Sequence, residues 1–211
     1  MTAAIVIIGA GGHGRETLDV VEACNAVADV YEFKGFCALD ADEELLRRRE
    51  ATLLGASDVL RDLDAGYVIG IGTSEVRRDI DEQVTGYGRT ALTLVHPAAS
   101  LGSDLRLAPG VVLAAGARAT TNVELGRHTH LNVNAVVSHD CVVGDYVTMS
   151  PGVLVNGNAT LGEGVFLGTG AVVLPGRSVG AWAKIGAGAV VTQDVPAGQT
   201  VVGVPARPAA S

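Results

Sequence analysis

A six-residue apolar period across residues 95–191, a strand, glycine turn and helix at the N-terminus, and a scarcity of aromatic side chains predict an α/β domain followed by a parallel β-helix of hexapeptide repeats. The chain has 211 residues with 28 glycines, against one tryptophan, four tyrosines and three phenylalanines, so an ordinary aromatic-rich core is excluded. No run approaches the roughly 18 to 20 apolar residues that a membrane span needs. The sequence enters an apolar strand directly after Met1, without a basic leader or a small-residue cleavage site. Cys24, Cys37 and Cys141 are scattered and no pair has metal-ligand spacing, which fits a reducing cytoplasm and gives no sign of a disulfide framework or a metal site.

Charge divides the chain in two. The formal net charge is −8, and a surface without basic excess argues against nucleic acid as a partner. Residues 1–94 hold 17 acidic and 9 basic side chains, whereas residues 95–211 hold 6 of each. Two domains, 1–94 and 95–211, are the simplest reading.

The first domain begins with the buried-strand pattern of residues 5–8 (Ile-Val-Ile-Ile), which runs into Gly9-Ala10-Gly11-Gly12-His13-Gly14 and a helical pattern over residues 15–30. This order presents backbone N–H groups and a helix N-terminus to a phosphate, and Gly9, Gly11 and Gly14 match the spacing GxGxxG. A tight turn without ligand is the alternative. A second strand over residues 35–39 ends in Asp40 and Asp42, which either accept from a base or ribose donor or cap the next helix, residues 43–49. A third strand, residues 66–71, leads through Gly72-Thr73-Ser74 to a helix over residues 75–84. Three βα units in about ninety residues make a half-size Rossmann-like domain, large enough for one mononucleotide, and a hydride-transfer enzyme is therefore disfavoured.

In the second domain an apolar residue recurs every sixth position, and sixteen of the seventeen such positions are Val, Leu, Ile or Met. Small or β-branched residues such as Ala117, Ala135, Cys141 and Ala159 stand two positions earlier, and Gly often follows. Each hexad supplies one short strand and one corner, three hexads make a coil, and coils stack at about 4.8 Å. The large and small residues share the interior, Gly or Asn takes the corners, and the narrow prism leaves no room for aromatic rings. Residues eighteen apart are neighbours in adjacent coils.

That spacing singles out one histidine. His139 lies near a corner of the hexad that begins at Val137, with Gly157 and Thr121 eighteen residues away on either side, while Asp140 shares a column with Asn122 and Asn158. Acyl transfer from a thioester needs a base for the nucleophile and a donor for the developing oxyanion, parts that His139 and the Gly157 N–H can supply. Asp140 can orient the imidazole only if the corner turns between the two residues, because neighbours on a strand point oppositely. Cys141 occupies an inward small-residue position and reads as core.

The unbroken hexads and the closing stretch Val201-Val202-Gly203-Val204-Pro205-Ala206-Arg207 resemble the left-handed β-helix acyltransferases. That resemblance implies a homotrimer with acyl-CoA held between adjacent prisms. The residues 9–14 turn with His13, the stretch Ile71-Gly72-Thr73-Ser74-Glu75-Val76-Arg77, the His96-Pro97 junction and residues 132–145 around Ser138-His139-Asp140-Cys141 are similar to sugar-nucleotide acetyltransferases of bacterial surface-glycan pathways. That group includes enzymes that N-acetylate a UDP- or GDP-linked 4-amino-4,6-dideoxy sugar and relatives named sialic acid O-acetyltransferases. The resemblance implies His139 as base and Asp140 as its partner, Gly12 and His13 facing the nucleotide phosphates, Asp40 and Asp42 facing the nucleobase, and Ser74 on the substrate. It implies acetyl-CoA as co-substrate and no metal.

Some members of that group carry a second histidine near the acetyl thioester where this chain has Thr148, and His130, eighteen residues earlier, is a candidate substitute. Threonine can donate to a carbonyl but cannot serve as base. Acetyl-CoA is expected along the later coils, where Gly168, Gly170, Ile185, Gly186, Ala187 and Gly188 allow close backbone approach, with Lys184 or Arg207 near its phosphates. Direct transfer to the sugar amine without an acyl-enzyme is the expected reaction. The alternatives are O-acetylation of a sugar hydroxyl and a scaffold that binds a nucleotide sugar without chemistry.

Overall fold

The computed structural model describes residues 2–209 and divides into two compact units, 1–97 and 98–211. In the first unit β1 (Ala3–Ile8), α1 (Gly12–Val27), β2 (Tyr31–Cys37), α2 (Glu43–Arg48), β3 (Leu53–Gly55), β4 (Gly66–Ile69) and α3 (Ser74–Thr85) follow in order. The sheet is parallel with strand order β3-β2-β1-β4, so β1 lies between β2 and β4 and is buried from Ile5 to Ile8. That burial on both faces is why β1 reads as a continuous apolar run. The sequence places the second strand at residues 35–39, but β2 starts four residues earlier and ends at Cys37, so Ala38, Leu39 and Asp40 follow its C-terminal end. α1 begins at Gly12 and ends at Val27, because Gly11 already serves as its N-cap. The short edge strand β3 has no counterpart in the sequence reading.

Two glycines of the first turn are fixed by sterics. Gly9 has φ 107°, and a Cβ on Gly14 would lie 1.9 Å from the Gly9 carbonyl oxygen. Only glycine lets α1 start so close to the end of β1.

The second unit is the parallel β-helix that the hexads predict, with the left hand that the resemblance implies. Strands pair in parallel with an offset of eighteen residues, as in Glu124 with Val142, His130 with Thr148 and Val136 with Leu154. They form three faces. The first face runs from Ser100–Leu101 to Val190–Val191, the second from Leu105–Leu107 to Ser178–Val179, and the third includes Val112–Leu113 through Lys184–Ile185 with Thr200–Val202 and Arg207–Pro208 added. The inward positions Leu113, Leu131, Met149, Leu167 and Ile185 are buried, whereas Leu101, in the first coil, is 41% exposed. The period ends at Val191 because the last coil is two residues shorter: Ile185 pairs with Val201 and Val179 with Val195.

Most corners have one residue in the left-handed region. After the first face the column is Asp104, Asn122, Asp140, Asn158 and Gly176, with φ between 54° and 67°. After the second face it includes Gly110, His128, Tyr146, Gly164 and Trp182, so corner positions accept rings as well as Gly and Asn. The His128 and Tyr146 rings stack with centroids 6.0 Å apart, and a Cβ on Gly164 would collide with the Trp182 ring. Aromatic rings absent from the interior are thus carried on the outside of this corner. Among the described residues no helix is long and apolar enough to cross a membrane.

Candidate active site

His139 and Asp140 sit at the corner between the first and second faces. Asp140 has φ 59°, a conformation that Asp and Asn tolerate better than other residues with a β-carbon. This left-handed residue turns the corner, and the two side chains meet: His139 Nδ1 lies 2.8 Å from Asp140 Oδ2. The other carboxylate oxygen, Oδ1, accepts from Asn122 Nδ2 at 2.9 Å. The Asn122 amide, and after it the His139 ring, hold the Asp140 carboxyl below the usual carboxylate range.

Gly157 lies under the imidazole. A Cβ there would stand 2.3 Å from His139 Cε1 and 2.4 Å from Nε2, so the ring covers the face of the glycine. The Gly157 N–H donates to no acceptor among the described residues. Half of the His139 side chain, 54%, remains open to solvent. Cys141 is buried, its Sγ points at the Asn156 carbonyl at 3.2 Å, and burial pushes its thiol up, as expected of a core residue.

The structure separates Thr148 and His130 from this corner. Both lie on the third face, which in a triangular prism is opposite the corner between the first and second, and both are buried. Within one chain neither stands beside His139, and His130 is no surface residue. Ile185 occupies an inward position of the repeat and its side chain is buried, so only its backbone is left for the close approach expected there. One further expectation changes. Gly168 is buried too, because the next coil closes on it: a Cβ would lie 2.6 Å from Ala187 N. Its smallness serves coil stacking and not ligand approach. Ala187, Gly170 and Gly188 are exposed at the corner between the third and first faces, and Lys184 and Arg207 are exposed on the third.

The first face joins the Ala187 corner to the His139 corner. Val136, Leu154, Val172 and Val190 alternate outward along it and are half-buried or exposed, with Leu154 43% exposed. This apolar stripe was not read from the sequence, although the position before each large inward residue identifies it.

In the first unit, a cavity of about 590 Å³ opens at the C-terminal ends of β1, β2 and β4, lined by Gly9, Gly11, Leu39, Asp40, Ile71 and Gln83 among others. The strand order reverses at β1, and this is where open α/β sheets hold ligands. The N-terminus of α1 has no acidic residue in its first turn and no side-chain cap, and added Cβ atoms at Gly11 and Gly12 would meet nothing within 4 Å. An adjoining hollow of about 490 Å³ is lined by Gly11, Arg15, Asp40 and Asp42. Arg15 is its one cationic lining residue, and its Nη1 donates to the Ala10 carbonyl at 3.0 Å.

Asp42 caps α2, its Oδ1 accepting from Leu45 N at 3.0 Å, and also lines the second hollow, while Asp40 lines both hollows. Ser74 is buried in the first turn of α3 and does not line the cavity. His13, in the first turn of α1, is held below the ordinary histidine range chiefly by burial, with Arg77 adding to the effect and Glu16 opposing it. Sequence reasoning missed Leu39, which is 92% exposed at the cavity, and Gln83, whose Nε2 donates to Tyr87 Oη at 2.6 Å. Gln83 reaches the cavity from a helix more than forty residues further along the chain, and no local pattern signals it.

Comparison with known proteins agrees with both halves. A family model described as the PglD N-terminal domain matches residues 4–84, and one described as bacterial transferase hexapeptide (six repeats) matches residues 158–193. GDP-perosamine N-acetyltransferase of Escherichia coli O157:H7 is 32% identical over 159 residues, 69% of this chain and 66% of that protein, so the match spans just under two thirds of the relative's length. PerB from Caulobacter crescentus, solved in complex with CoA and GDP-perosamine, is 29% identical with a TM-score of 0.90 over 100% of this chain and 99% of its own. The acetyltransferase domain of PglB from Neisseria gonorrhoeae FA1090, solved with acetyl coenzyme A, is 30% identical with a TM-score of 0.88 over 99% and 100%.

Proposed function

The chain belongs to the hexapeptide-repeat sugar-nucleotide acetyltransferases, and we propose that it transfers the acetyl group of acetyl-CoA to the amine of a nucleotide-linked 4-amino-4,6-dideoxy sugar, with GDP-perosamine as the first acceptor to test. The observation that carries the reading is the His139 ring, seated on Gly157 and tied to Asp140 at 2.8 Å.

With the carboxylate as acceptor, Nδ1 carries the imidazole proton and Nε2 keeps its lone pair. Nε2 then takes a proton from the sugar amine as the nitrogen bonds to the thioester carbonyl carbon. The negative charge that gathers on the carbonyl oxygen is met by the free Gly157 N–H. When the C–S bond breaks, the proton on Nε2 passes to the departing sulfur, giving the amide, CoA thiol and the original imidazole. No covalent acyl-enzyme is needed, and Cys141, buried with a raised pKa, takes no part.

The nucleotide occupies the first unit. The diphosphate meets the Gly11 and Gly12 backbone and His13 at the start of α1, with Arg15 as the nearby cation. Asp40 accepts from the base and Leu39 gives it an apolar surface. Acetyl-CoA lies along the apolar first face, with its thioester at the His139 corner and its carrier near Ala187. The same stripe supports a homotrimer, in which the face of one prism meets its neighbour, and the enzyme works in the cytoplasm on its sugar-nucleotide pool.

The test is acetyl transfer by wild type and His139→Ala, each checked for size by light scattering. Loss of transfer in a folded trimeric variant supports the base assignment. A His139→Ala protein with wild-type turnover removes it, and a monomeric wild type removes the site between prisms.

A further inference from the structure

The His139–Asp140 pair has a third member one coil earlier. Asn122 stands eighteen residues before Asp140 in the same left-handed column, with φ 56°. It donates from Nδ2 to Asp140 Oδ1 at 2.9 Å, while Asp140 Oδ2 faces His139 Nδ1. The carboxylate is 45% exposed, and its terminal torsion is broad and two-fold, so nothing in the carboxyl group itself selects the plane that meets the imidazole. A donor fixed on one oxygen does select it. The Asn122 amide is itself oriented, because Thr121 Oγ1 lies 3.3 Å from Asn122 Oδ1, which leaves the NH2 end toward Asp140. Thr121 is in turn tied to the coil before it, where the Ser103 hydroxyl, 3.3 Å away, can donate to Oγ1 while the Thr121 proton goes to Asn122.

Backbone demand does not account for this amide. Asp104, Asn158 and Gly176 fill the same column position, so aspartate, asparagine or glycine all satisfy the corner. We propose that Asn122 is a positioning residue for acetyl transfer: it sets the Asp140 carboxylate in the plane that holds the Nδ1–H form of His139 and leaves Nε2 free to take the amine proton. This rests on the reading of His139 as the base. The lowered pKa of Asp140, for which the Asn122 hydrogen bond is the largest cause, agrees with it. The residues above and below the pair, Thr121, Asn122, Gly157 and Asn158, are not titratable. The remaining ionisable groups at this corner are Cys141, which is buried, Asp104, two coils back in the same column, and Arg177, two coils on and paired with Asp194.

Two substitutions keep the corner. Asn122→Gly retains the left-handed conformation and removes the amide; Asn122→Asp retains the shape and sets a carboxylate against Asp140. With acetyl-CoA and GDP-perosamine, Asn122→Gly is expected to lower kcat about tenfold with both KM values unchanged. Asn122→Asp is expected to move the acid limb of the kcat/KM profile upward by about half a pH unit, since added negative charge favours the imidazolium. Ring ¹⁵N spectra of His139, which need no acceptor, are expected to show a reduced Nδ1–H fraction in Asn122→Gly. If His139→Ala is inactive while both Asn122 variants keep wild-type kcat, acid limb and ring spectra, the positioning role falls and the base assignment stands. A fully active His139→Ala removes both.

Discussion

A methyl group at Gly157 is expected to unseat His139 and leave the coil intact. The Gly157 backbone is outside the left-handed region, so alanine is conformationally admissible there. Its Cβ, however, would stand 2.3 Å from Cε1, 2.4 Å from Nε2 and 2.9 Å from Nδ1 of the imidazole. Non-bonded carbon atoms rest at roughly 3.5 to 4.0 Å, so the ring must retreat by at least about 1 Å. Solvent already reaches half of it, and the retreat costs the fold little. The price falls on catalysis, because a misplacement of about 1 Å lowers the rate roughly 10²-fold, or about 2.7 kcal/mol of activation free energy. The assay is thiol release from acetyl-CoA with GDP-perosamine as acceptor, beside a thermal melt. Gly157→Ala should lose about two orders of magnitude in kcat/KM while Tm moves by only a few degrees. Combined with His139→Ala, which leaves no ring to displace, it should add almost nothing. A Gly157→Ala enzyme within about threefold of wild type, roughly 0.6 kcal/mol, would show that the seat of the ring does not matter.

Asp140→Asn keeps a residue that tolerates φ 59° but offers His139 an amide, so kcat is expected to fall at least about 10²-fold with the fold unchanged by circular dichroism. Asp42→Ala should lose the α2 cap and about 1 kcal/mol of stability in urea titration without weakening GDP binding, whereas Asp40→Ala should weaken GDP binding by calorimetry without that loss. His13 is depressed below its unfolded value by burial, so between the two values the unfolded chain binds more protons. Its contribution to stability is therefore complete above about pH 6.5 and is lost as pH falls through the folded value. Thermal melts of His13→Gln should show a shallower decline below that pH than wild type; an identical decline would place the acid sensitivity elsewhere.

The period of six made the β-helix legible because a prism forces the same burial on every sixth residue. The eighteen-residue step then placed Gly157 beside His139 from sequence alone, and the ring does lie on that glycine. The meeting of His139 with Asp140 was conditional on a corner, and the left-handed φ at Asp140 supplies it. The recurrence of Asp and Asn in that column already hinted at this turn. Ile185 is inward, as its place in the period marks it, which leaves only its backbone for the expected approach of acetyl-CoA. Thr148 lies nine residues from His139, one and a half hexads on, and reaches the opposite face only once the three faces are assembled. Leu39 and Gln83 come together at the cavity through the sheet order, which no short-range pattern records.

Mass spectrometry of the acceptor after incubation with acetyl-CoA decides whether a nucleotide 4-amino sugar is acetylated with His139 as the base. Wild type should convert GDP-perosamine to a product carrying one acetyl group on the 4-amino nitrogen, located by fragmentation, and His139→Ala should leave it unchanged at equal concentration. An acetyl group found on a hydroxyl, or equal conversion by the His139→Ala protein, would contradict it.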